Sequence, residues 1–91
     1  MRQCIEDLPK VQARLKRVEG QIRGISDMIE KDVPCNEILI QINAAKSALH
    51  KVGQMVLEGH LHHCVKDGIE NGNADETLKD LSKVIEYFSR I

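Results

Sequence analysis

Apolar residues recur at spacings of three and four along most of the chain, and the breaks in that rhythm divide it into three helices. Leu8, Val11, Leu15, Val18, Ile22, Ile25 and Ile29 make the first run. Asp7 can cap it and Pro9 is tolerated in a first turn, which sets the start near Asp7–Leu8–Pro9. The KDVP sequence ends this helix and begins the next, with Asp32 as a candidate cap and Pro34 early in the new helix. From Asp32 to Asn71 the pattern predicts one long amphipathic helix. Stepping by threes and fours from Cys35 through Ile38, Ile42, Ala45, Leu49, Val52 and Val56 leads to His60 and Cys64. At about 100° per residue all of these share one face. Gly53 and Gly59 lower helix propensity and mark a candidate bend. Gly68 and the NGNAD run supply a stop, a turn and a new cap at Asn73 or Asp75. In the last helix Leu78, Leu81, Ile85 and Phe88 fall on one face, with Val84 beside them. No strand pattern or internal repeat interrupts this all-α reading.

The long helix implies more than one chain. Cys35 and His60 belong to the same stripe, yet a rise of about 1.5 Å per residue separates them by roughly 37 Å along a straight helix. Two antiparallel copies crossing near Ala48 and Leu49 would bring Cys35 of one to His60 and Cys64 of the other. Ala44, Ala45, Ala48 and Gly53 cluster at that crossing, where small side chains permit close approach. A chain of 91 residues buries a limited core by itself, which also favours oligomerisation. The expectation is a three-helix protomer with a long central helix, filling residues 1–91 as one domain. It pairs into an antiparallel dimer with a four-helix-bundle core.

Composition narrows the setting. Tyr87 and Phe88 are the only aromatic residues. No apolar run approaches the roughly 20 residues of a membrane span and no signal-peptide core follows Met1, so a cytoplasmic protein with no membrane partner is expected. Three cysteines without secretory features argue for reduced thiols in metal or redox roles rather than a disulfide framework. Charge is unevenly spread: nine Lys/Arg face seven acids up to Lys51, against four and seven from Val52 onward.

Cys35, His60 and Cys64 are the leading candidates for chemistry. A histidine and a cysteine four residues apart share a helix face, and two thiolates with an imidazole form a soft donor set suited to Cu(I) or Zn(II). The plainer reading makes them buried thiols and a polar helix-end residue. His63 is an extra or alternative donor, while His62 points largely away and reads as a solvated residue favouring the helix dipole. Cys4, in the leading segment, is either incidental or a further donor. Lys10, Arg14, Lys16, Arg17 and Arg23, joined by Lys46 and Lys51, form either a solvated face or a patch that oligomerisation would repeat along duplex phosphates. No familiar base-reading module is present. The Cys/His pair comes without a Gly-rich oxyanion loop, so an enzyme is not expected.

Three segments carry a resemblance: RLKRVEGQIRGI at Arg14–Ile25, PCNEILIQINAAKSAL at Pro34–Leu49 and LEGHLHHCV at Leu57–Val65. In these the chain resembles the copper-sensing operon repressor family (the CsoR/RcnR type) over essentially its whole length. The resemblance implies an all-helical dimer of antiparallel protomers that pairs into a tetramer. It would hold operator double-stranded DNA when metal-free and let go when an inducer occupies a site between protomers. The family's Cys–His–Cys copper set falls on Cys35, His60 and Cys64.

The match is uneven around that set. Copper-sensing members support it with a tyrosine before the first cysteine and a glutamate in the third helix, where this chain has Pro34 and Asp80. Sulfur-sensing relatives keep both cysteines and lack the histidine. Nickel and cobalt sensors add histidine donors, including one from the N-terminal segment, where residues 2–4 here are Arg-Gln-Cys. Formaldehyde-responsive relatives lack the second cysteine. The expectation is therefore a Cu(I)-responsive repressor in which Arg14, Arg17 and Lys51 contact phosphates and Lys10, Lys16 and Arg23 add to the field. A sensor of persulfide, or of Ni(II), Co(II) or Zn(II), is the alternative within the fold. A metal store or carrier without a DNA role is the alternative outside it.

Overall fold

The computed structural model describes residues 5–91, and every regular element among them is helical. In order these are α1 (Leu8–Glu30), α2 (Cys35–Gly59), a π-helical turn (His60–Val65), α3 (Lys66–Glu70) and α4 (Ala74–Phe88). The predicted central helix is thus one helical run whose winding widens over six residues before returning to α. Gly53 leaves α2 intact, and the change of winding comes directly after Gly59.

The described residues form two compact units, one of residues 8–52 and one combining residues 53–91 with residues 5–7. In the first unit α1 and α2 as far as Val52 share a thin core of Val11, Val18, Ala45 and Val52. The single heptad-like seam read from the sequence resolves into two faces. Val11, Val18 and Ile25 turn inward with Gln21 and Met28, while Leu8, Leu15, Ile22 and Ile29 stay exposed at intervals of seven. Both sets obey the same three-and-four spacing, which is why the pattern alone cannot separate them. On α2, Ile42 and Leu49 form a like-spaced exposed stripe.

The connection after α1 corrects the role expected of Asp32. Its φ of 56° is left-handed, and Val33 N–H donates to Met28 C=O at 3.0 Å while Asp32 N–H donates to Ile29 C=O at 3.3 Å. This pair of bonds is a Schellman closure, with an aspartate in the place glycine usually fills. Asp32 therefore ends α1 and does not cap α2. Pro34 stands immediately before α2, its carbonyl accepting from Ile38 N–H at 3.2 Å.

In the second unit the helix runs through Gly68 and stops at Gly72, the true left-handed residue (φ 82°), where Asn73 N–H donates to Gly68 C=O at 2.9 Å. Gly68 serves close packing: a Cβ there would overlap the Thr77 side chain on α4. Asn73 takes the N-cap position, and Asp75 lies with Glu76 in the first turn, where negative charge suits the helix dipole. The inward face of α4 also differs from expectation. Ala74, Thr77, Leu81, Val84 and Phe88 are partly buried, whereas Leu78 and Ile85 are half exposed. Gly53 and Phe88 explain the choice, because the glycine leaves room for the Phe88 ring and Ile91.

Candidate metal centre and basic face

The π-helical turn concentrates the second unit's donors. It contains His60, His62, His63 and Cys64 within six residues, with Val65 buried at its end. His60, which opens the turn, and Cys64, next to its last residue, are partly buried, and His62 and His63 between them are exposed. π-helical turns occur disproportionately at functional sites. Cys35, the first residue of α2, lies in the other unit and is a free, exposed thiol. Among the described residues, no group of three His, Cys, Asp or Glu side chains in one chain is placed to hold a metal ion.

Two expectations about this turn change. Cys64 is disulfide-bonded, contrary to the reduced thiols anticipated, and its sulfur must be reduced before it can serve as a thiolate donor. His62 is not merely solvated: its Nδ1 lies 2.5 Å from Glu6 Oε1. A carboxylate only accepts, so Nδ1 carries the proton and donates it. His63 Nε2 is 4.0 Å from the same oxygen. Glu6 escaped the sequence reading because 56 residues separate it from His62 and no periodicity links them. Cys4 lies outside the described residues. Asp80, the candidate support residue, is exposed on α4.

The basic residues lie in the first unit. Lys10, Lys16, Arg17, Arg23 and Lys51 are exposed and Arg14 is partly buried. Arg14 and Arg17 line an open groove of about 260 Å³ with Gln21, Ala44 and Ala48. Gln21 adds an unforeseen feature, a buried side-chain oxygen with no hydrogen-bond partner.

Residues 7–87 match the model of a family described as "metal-sensitive transcriptional repressor". The chain belongs to this repressor family. Copper-sensing transcriptional repressor CsoR of Bacillus subtilis is 44% identical over 77 residues, covering 85% of this chain and 76% of the relative. Copper-sensing transcriptional repressor RicR of Mycobacterium tuberculosis is 47% identical over 79 residues, covering 85% and 82%. Among solved structures, CsoR with Cu(I) from Geobacillus thermodenitrificans aligns with a TM-score of 0.84 at 41% identity, covering 90% of this chain and 85% of that one. The nickel-responsive transcriptional regulator InrS gives the same TM-score at 36% identity, covering 92% and 94%.

The chain shares the all-helical fold of its relatives in this transcriptional repressor family. Among the described residues no helix is long and apolar enough to cross a membrane.

Proposed function

We propose that residues 1–91 act as one metal-sensing, DNA-binding domain in the cytoplasm. It holds operator DNA when metal-free and releases it when Cu(I) is bound by Cys35 of one protomer with His60 and Cys64 of another. The observation that carries this reading is the division of donors: two sit on one turn and the third begins α2 in the other unit. Helix length keeps one chain's Cys35 far from its own His60, so an antiparallel partner is the economical way to complete the set. Two sulfurs and one imidazole nitrogen suit the soft, low-coordinate Cu(I) ion. The exposed seven-residue stripes of α1 and α2 supply apolar surface for the dimer and for its pairing into a tetramer. Arg14, Arg17 and Lys51 contact phosphates, with Lys10, Lys16 and Arg23 strengthening the field. Asp80 is the remaining candidate for supporting the histidine.

A second reading has a specific basis. His63 lies beside the proposed donors and near the Glu6 carboxylate, and the fold is shared with a nickel-responsive regulator. Ni(II), Co(II) or Zn(II), each tolerating more nitrogen and oxygen, would recruit them.

The test is titration of reduced protein with Cu(I), Ni(II) and Zn(II) while operator binding is followed. Mixing Cys35→Ala protein with His60→Ala/Cys64→Ala protein should restore one complete site per heterodimer. Mixtures that regain no tight Cu(I) sites after subunit exchange would remove the shared centre.

A further inference from the structure

We infer that Glu6 is a positioning residue through which metal occupancy of the π-helical turn reaches the start of α1; this rests on the repressor reading above. Glu6 Oε1 accepts from His62 Nδ1–H at 2.5 Å and lies 4.0 Å from His63 Nε2, so one carboxylate spans both exposed histidines of the turn. Those histidines lie between the proposed ligands His60 and Cys64. Glu6 is also separated from Leu8, the first residue of α1, by Asp7 alone. Lys10 and Arg14 follow within the first two turns of that helix. One exposed contact therefore joins the donor-bearing turn to the chain that leads into the basic helix.

The direction follows from ordering. Once Cys64 is reduced, a metal ion held by His60 and Cys64 ties two points of the turn together and restricts the backbone of His62 and His63 between them. The entropy that the Glu6 contact would otherwise lose in ordering those side chains is then already spent, so the contact strengthens when metal is bound. Linkage makes the effect reciprocal: Glu6 raises metal affinity by the factor by which metal strengthens the contact. Removing the carboxylate should weaken Cu(I) binding and incomplete release should follow, with metal-free operator binding left alone. His62 is 64% exposed and Glu6 46% exposed, so the effect belongs to the modest range of solvated pairs, about two- to fivefold.

The experiment compares reduced wild type with Glu6→Gln, His62→Ala and the double variant. Cu(I) affinity, operator affinity with and without Cu(I), and the ¹⁵N and ¹H signals of the His62 ring are measured. Glu6→Gln is expected to lose the hydrogen-bonded Nδ1–H signature and to bind Cu(I) about two- to fivefold more weakly. The factor by which Cu(I) weakens operator binding should fall to the same extent. X-ray absorption should still show two sulfur donors and one nitrogen, and metal-free operator affinity should stay as in wild type. The double variant should be no worse than either single one, because both remove the same contact. Unchanged Cu(I) affinity and release in Glu6→Gln would overturn the inference. An equal loss of operator affinity with and without metal would also overturn it, since that marks a merely structural residue. Wild-type protein that holds operator equally with and without Cu(I) would overturn the repressor reading itself, and this inference with it.

Discussion

Gly68 and Thr77 approach so closely that a Cβ on the glycine would overlap the threonine hydroxyl. Their contact fixes α3 against α4 within the unit that carries His60 and Cys64. Gly68→Ala is expected to destabilise the protein by about 1–3 kcal/mol, the usual cost of overpacking. Thr77→Ala in the same chain should recover part of the loss. Gly24 is the contrasting case, a mid-helix position with open space around it, where alanine should add about 0.5–1 kcal/mol. Urea denaturation at one fixed protein concentration measures all three variants, and a Gly68→Ala protein as stable as wild type would refute the packing argument.

The two left-handed closures should respond in opposite directions. Gly72, at φ 82°, has a conformation that alanine adopts only at a cost of about 1–2 kcal/mol. Asp32, at φ 56°, already bears such strain, so Asp32→Gly should be neutral or slightly stabilising although it adds freedom to the unfolded chain. Thermal melting of the two variants in parallel gives the comparison.

The exposed stripe on α2 should be an interface in solution. Leu49 is 49% exposed in the single chain, and Leu49→Glu places a charge in the middle of the proposed dimer contact. Sedimentation should show dissociation and the melting temperature should become strongly dependent on concentration. Ser47→Glu, two residues away on an exposed face, should leave assembly intact. Equal behaviour of the two variants would place the interface elsewhere.

Arg14 and Arg17 flank one groove, and each is proposed to meet a phosphate. Arg14→Ala or Arg17→Ala should weaken binding to operator and to unrelated duplex alike, and lower the salt slope by about one unit per lost contact. Measuring affinity across a range of salt concentrations tests this directly. Intact affinity and slope in both variants would exclude the groove as a DNA surface.

Much of this architecture was legible because it is punctuated. Pro9, the KDVP turn and the NGNAD turn are local signals, and the helix limits fall at or near them. Cys35, His60 and Cys64 stood out because thiols and an imidazole on one apolar stripe are chemically conspicuous. Other features have no local signature. Residues His60–Val65 contain nothing that favours π over α winding, and the distinction lies in backbone hydrogen bonding alone. The inward and outward faces of α1 share one spacing, so only a partner helix distinguishes Val18 from Leu15. Glu6 meets His62 through tertiary contact, which helical periodicity does not encode.

The π-helical turn also separates length counted in residues from length in space. A wider turn accommodates its residues with less advance along the axis than α winding would give them. Losing or gaining a residue there can be absorbed by a change of winding, with α2 and α4 keeping their own internal packing. The spacing of His60 and Cys64 is therefore open to alteration by a single-codon insertion or deletion. Under the proposed ligand set, such an event would re-space His60 and Cys64 in one step, a route to a different metal that bypasses stepwise replacement of side chains.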